Sequence, residues 1–389
     1  MKRTLLLAAC LCFLSACSTP YKTPAFDARP GTPRAFPGAA DLLRKEGTLD
    51  VLLVHGMCTH DAEWASGAAR DLYANMGGDP VHVQLQAAPV GKTGIILFQQ
   101  TLPLPAGSLR LNALLWSPLT TPLKGDLCYD QTSKSALCPA VEAAKAFPFD
   151  RARFNQMTKD NLINDCLADA MIYQGKARIE INERIQAALL QAVNTTGGRP
   201  ATADASGPQN RIPVVVITDS VGSKITFDAI YKLATGPGKG KEKAGIALFN
   251  RTALVFMRAN QMPILALADK HLDGTASSER SDAGFPTDPI QALIQRRNAE
   301  PAGARSRSVP TVVAFSDPND LLSYPLARSP LAAAAGYPIV DVIVSNDKSY
   351  LGLFELPDTA HLDYAKTGAV RRLIACGNPR SSACKAGWP

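Results

Sequence analysis

Residues 217 to 224 read Ile217-Thr218-Asp219-Ser220-Val221-Gly222-Ser223-Lys224 and follow the apolar run Val214-Val215-Val216. A serine at the point where a buried strand gives way to a helix can act as a nucleophile. The turn lifts its hydroxyl above the strand ends and aims a helix N-terminus at the reacting centre. Small residues on both sides let such a turn approach its neighbours; Gly222 is one, but Thr218 stands where the other is expected. A serine needs a base, and the base needs an orienting acid. The strand-like Pro310–Phe315 runs into Ser316-Asp317-Pro318-Asn319-Asp320-Leu321-Leu322, offering two aspartates. Asp317 lies in a Ser-Asp-Pro turn, where its side chain caps local backbone, so Asp320 is the better acid. Of the five histidines, His82 and His271 read as structural and His60 as a possible pocket wall. His361, in Pro357-Asp358-Thr359-Ala360-His361-Leu362-Asp363-Tyr364, stands in a loop after the last strand and before the last helix.

Nucleophile, acid and histidine, each after a successive strand, follow the order of one serine-hydrolase plan. With Val54-His55-Gly56-Met57 at the end of the first strand, Leu49 to Ala375 resembles an α/β-hydrolase-fold serine esterase or lipase. The resemblance rests on VHGM, TDSVG, DPND and AHLDY taken together. It implies hydrolysis of carboxylic esters through a covalent acyl-enzyme, with no metal and no organic cofactor. Ser220 would attack, His361 would shuttle the proton and Asp320 would hold the imidazole. The amides of Met57 and Val221 would bind the oxyanion. Two other readings share these residues: an inactive or weakly active hydrolase-like lipoprotein that binds or scaffolds envelope partners, and a thioesterase or peptidase on the same fold.

The elements that must position these groups read as alternating strands and helices. Strands are predicted at Leu49–Val54, Val81–Gln84, Ile95–Gln99, Leu109–Trp116, Ile212–Thr218, Thr252–Met257, Pro310–Phe315 and Ile339–Val344. Helices are predicted over Asp61–Met76, Asp160–Gln174, Arg178–Ala192 and Tyr364–Ala375, with another after Ser220 that stops at Gly236-Pro237-Gly238. Ile181, Ile185 and Leu189 recur four apart on one face. Such alternation implies one α/β domain over residues 48–389, a mainly parallel central sheet with helices on both faces. Residues 118–158 read as a disulfide-pinned insertion.

The N-terminus reads as an address. Lys2-Arg3, then the apolar Thr4–Leu14, too short to span a bilayer, end in Leu14-Ser15-Ala16-Cys17. This resembles the lipobox of bacterial lipoproteins, which implies a signal peptide over 1–17 and acylation of Cys17. Ser18 after the cysteine favours the outer membrane, facing the periplasm. Residues 18–47, with Pro20, Pro24, Pro30, Pro33 and Pro37, read as a stiff tether.

Beyond Cys10, Cys12 and Cys17, six cysteines remain, an even number suited to an oxidising compartment. Proximity in sequence pairs Cys128 with Cys138 and Cys376 with Cys384, leaving Cys58 for Cys166, although six cysteines allow about fifteen pairings. Their spacing is not that of a zinc site. The last of these bonds would tie the helix bearing Asn164-Asp165-Cys166-Leu167-Ala168-Asp169 to the loop of Met57. The formal charge of +7 falls to +5 without Lys2 and Arg3. No basic stripe interleaved with aromatics marks a nucleic-acid groove, whereas an anionic membrane surface and a small-molecule or lipid ester are compatible partners.

Overall fold

A computed structural model describes residues 17–18, 23–131, 135, 137–139, 149, 151–196, 199–200, 212–270, 272, 284–299, 308–382 and 384. The signal segment before Cys17, His271 and most of 132–150 lie outside the described residues. Nine strands form the main sheet: β1 (Ala25–Ala28), β2 (Thr48–Val54), β3 (Gln86–Pro89), β4 (Ile96–Leu104), β5 (Gly107–Leu115), β6 (Val214–Asp219), β7 (Thr252–Arg258), β8 (Thr311–Ser316) and β9 (Ile339–Ile343). Their spatial order is β1-β9-β8-β7-β6-β2-β5-β4-β3. The six strands from β9 to β5 run parallel; β1 and β4 run against them, and β3 pairs antiparallel with β4.

The apolar runs are continuous because both faces of the sheet are covered. Val214 and Val216 pack into one core, with Ile185 and Leu189 of helix Arg178–Asn194 and Ile225 and Ile230 of helix Gly222–Thr235. Val215 and Ile217 face the other core, with Ala65, Ala69 and Leu72 of helix Ala62–Asn75 and Val370 and Ile374 of helix Gly368–Cys376. The alternation along one strand is the period-two signature of side chains on a pleated sheet. Each such side chain, almost wholly buried, contributes roughly 1.5–3 kcal/mol. The α/β architecture with helices on both faces is the one the sequence predicts.

Several local expectations are revised. Val81–Gln84 does not form a strand: Pro80–His82 is a helical turn, because Pro80 donates no amide hydrogen and the Asp79 carboxylate accepts the Val81 N–H at 3.1 Å. The edge strand begins instead at Gln86. The helix predicted from Asp160 is π-helical over Thr158–Leu167 before turning α-helical over Ala168–Gln174. The segment read as a tether is docked along part of its length: Ala25–Ala28 pairs with β9, and Ala39–Glu46 is a helix with Ala39, Ala40 and Leu43 buried. Apolar burial and an edge free for pairing outweigh the prolines there. All three disulfides, Cys58–Cys166, Cys128–Cys138 and Cys376–Cys384, are formed as the sequence pairs them. Among the described residues no helix is long and apolar enough to cross a membrane.

Candidate active site

Parallel strands bring their C-terminal ends to one edge, so the loops after β2, β6, β8 and β9 gather there. Ser220 follows β6 directly and holds φ at 52°, a left-handed conformation costing a non-glycine residue roughly 1–2 kcal/mol. The Ser220 N–H donates to the Arg258 carbonyl at 2.8 Å, and helix Gly222–Thr235 begins two residues on. Ser220 is 3% exposed, and its Oγ has no hydrogen-bond partner among the described residues. A strained backbone carrying an unpartnered buried hydroxyl suits a poised nucleophile.

The glycines around the turn are dictated by contact. A Cβ at Gly222 would lie 2.5 Å from the His55 carbonyl oxygen, and one at Gly56 would lie 2.8 Å from Ser220 Cβ. Thr218 is accommodated where a small residue is expected: it is fully buried, and its Oγ1 meets Ser223 Oγ at 2.7 Å. The threonine thereby bonds the strand end to the first turn of the helix across the serine.

His361 stands in a short helix, Pro357–Leu362, rather than in the loop expected from sequence; Pro357 opens it because a first-turn residue needs no amide donor. Its Nδ1 lies 2.9 and 3.0 Å from the two oxygens of Asp320. Asp320 also accepts from the Leu322 N–H (2.9 Å) and from the Tyr364 hydroxyl (2.9 Å). Burial works against its charge, but the His361 bond and these donors hold the carboxyl below its ordinary value. Asp317 takes the local role assigned to it. Its carboxylate accepts from the amides of Asn319 (2.9 Å) and Asn346 (2.6 Å), and burial pushes its pKa up.

The loop after β2 is pinned from inside. His55 Nε2 accepts from the amides of Trp116 (2.9 Å) and Ser117 (3.1 Å), so the proton resides on Nδ1, 2.8 Å from the Gly56 carbonyl. Burial depresses the His55 pKa well below its ordinary value, and the ring is neutral and structural. His60 is held likewise, its Nε2 donating to the Met57 carbonyl at 2.9 Å. Beyond Met57 the backbone is clamped to the end of the π-helix and the start of the α-helix that follows it: Cys58 N–H donates to Asp169 (2.8 Å), Thr59 N–H donates to Asp165 (3.0 Å), and Cys58 is bonded to Cys166. Lys124, fully buried, sits between the same carboxylates at 2.8 and 3.0 Å. The amides of Met57 and Val221 have no acceptor among the described residues. Ser220, His361, Met57, His60 and Tyr364 line one cavity.

The structure thus brings Ser220, His361 and Met57 to one cavity, with Asp320 against His361. Lys124 was not singled out from sequence, and Tyr364, Asp165 and Asp169 were named only within longer stretches, with no role of their own. Tyr364 could have been given one, since it follows His361 by one helical turn; Lys124 carried no signal, because only the fold carries it to Asp169. Among the described residues no group of three or more His, Cys, Asp or Glu side chains is placed to hold a metal ion. Compared with known proteins, the chain matches no protein-family model and no curated sequence.

Proposed function

We propose that this chain is a serine hydrolase of the α/β-hydrolase type that cleaves carboxylic esters, exported as a lipoprotein acylated at Cys17 of the outer membrane. The observation that carries the reading is Ser220: left-handed at the end of a parallel strand, unpartnered at Oγ among the described residues, and sharing a cavity with a histidine bound by a buried carboxylate. Ser220 Oγ attacks the ester carbonyl while His361 takes its proton through Nε2, the nitrogen left available by the Nδ1 bond to Asp320. The ionised Asp320 stabilises the imidazolium as it forms. The carbonyl oxygen gains charge next to the Met57 and Val221 amides, donors with no competing acceptor among the described residues. His361 returns the proton to the leaving alcohol, and a water repeats the sequence on the acyl-enzyme. The test is hydrolysis of p-nitrophenyl esters of increasing acyl length by the full chain and by Ser220→Ala. Turnover by the wild type and a loss of roughly 10⁴-fold or more in kcat in the variant are expected. Equal rates would refute the proposal, and the chain-length profile separates esterase from lipase.

A further inference from the structure

The predicted acylation site does not trail free of the domain. Cys17 and Ser18 form a short antiparallel pair with Ser349–Tyr350, Cys17 in register with Tyr350 and Ser18 with Ser349. The strand they meet leads into a tight turn. Leu353 N–H donates to the Tyr350 carbonyl at 2.9 Å, and Tyr350 N–H donates to the Phe354 carbonyl at 2.8 Å. Both central residues are left-handed, Leu351 at φ 56° and Gly352 at φ 67°. That geometry favours Asn, Asp or Gly, so a leucine at the first position is held against its backbone preference. Three large apolar side chains point to solvent from this one turn: Leu351 is 58% exposed, Leu353 80% and Phe354 57%. A patch of this kind marks a contact surface, not turn stability.

The turn is fixed to the catalytic edge. Glu355, next in sequence, accepts from Asn319 Nδ2 at 2.8 Å and so ties the turn to the loop bearing Asp320. Helix Pro357–Leu362 follows at once, and its last residue, Leu362, is 45% exposed while lining the Ser220 cavity. Leu321, beside Asp320, is 66% exposed.

We propose that the turn 350–354 is a membrane-contact face. The acyl chains on Cys17 enter the bilayer beside it, Leu351, Leu353 and Phe354 insert at the headgroup–acyl boundary, and the mouth of the Ser220 cavity turns toward the lipid surface. The substrate class this selects is an ester carried by an amphiphile in the same leaflet. The occupant is a bilayer because the residue in register with Tyr350 is the one predicted to carry lipid. The inference rests on the anchored-hydrolase reading above.

The test uses the full-length acylated chain reconstituted in vesicles of equal parts phosphatidylethanolamine and phosphatidylglycerol, with or without bromine on the acyl chains. Leu353→Trp is compared with Val81→Trp, an exposed position outside the turn. Brominated lipid should quench the emission added by Leu353→Trp about twofold, as insertion ~5–10 Å into the interface requires, and leave that of Val81→Trp unchanged. Equal quenching at the two positions, or none at Leu353→Trp, overturns the proposal, and so does an intact mass showing Cys17 unacylated. Quenching needs no turnover, so an inert protein would sink the esterase reading without touching this one. If both hold, Leu351→Ser/Leu353→Ser should lower hydrolysis of a long-chain ester embedded in the vesicles several-fold relative to a water-soluble acetate ester. An unchanged ratio would refute the substrate class.

Discussion

At the scale of single residues, the site rests on which hydrogen bonds each polar atom makes and which it lacks. Asp320 has three partners and Ser220 Oγ has none among the described residues; the first is a fixed charge, the second a group kept ready. Asp320→Asn keeps the side-chain volume but offers His361 Nδ1 an amide, which favours the wrong tautomer. A fall in kcat of roughly 10³–10⁴-fold with thermal stability little changed is expected, measured by steady-state hydrolysis of a soluble ester; near-wild-type kcat would remove Asp320 from its role. The three residues proposed to react were nameable from the sequence because type, order and place after successive strands are all local facts. The role of Thr218 was not, since its meaning depends on Ser223 Oγ lying 2.7 Å away. Nor was the division of labour between His55 and His60, which follows from the acceptors each ring finds in the folded chain.

At the scale of elements, the loop after β2 is set by what it is bolted to. Lys124, Asp165, Asp169 and the Cys58–Cys166 bond join it to the helical stretch Thr158–Gln174, so the amide of Met57 is placed by a helix more than a hundred residues away in sequence. Lys124→Met would leave two carboxylates in that junction without their cation. Breaking a buried pair of this kind costs about 3–5 kcal/mol, expected as a lowered urea midpoint; an unchanged midpoint would show that the junction carries no such weight. The strands were readable because continuous β-branched runs mark doubly covered parallel strands. Pro80 and Asp79 defeated that reading at Val81, where side-chain capping and a missing donor override an alternating pattern. The π-helical winding left no periodic signal that the sequence could show, because apolar residues at helical spacing serve either winding over so short a stretch.

At the scale of the whole molecule, buried carboxyls held above their ordinary pKa make the fold pH-sensitive. Burial, then repulsion from Asp317, pushes Glu355 up to about 7, and burial pushes Asp341 up to about 6. An unfolded chain would release these protons at lower pH, so these two carboxyls bind more protons in the native than in the unfolded state across that interval, and the stability they contribute falls as pH rises through it. The buried neutral His55 and His60 act in the opposite sense over this window, so the contribution of Glu355 is read as a difference: between pH 5 and pH 8 the wild-type thermal midpoint should change by about 2 °C more in the destabilising direction than that of Glu355→Gln. An equal change in the variant would show that Glu355 does not contribute. The sheet covered on both faces and the three disulfides were legible from the sequence as a whole, whereas the docking of residues 25–28 and 39–46 was hidden by the prolines that flank them. On the proposed reading, the intact chain presents one activated serine at the edge where the parallel strands end. The most direct measurement is intact-mass analysis of the full chain after treatment with a fluorophosphonate, beside Ser220→Ala. A single adduct that maps to Ser220 in the wild type and is lost in the variant is the predicted result; no adduct, or equal labelling of both proteins, would contradict it.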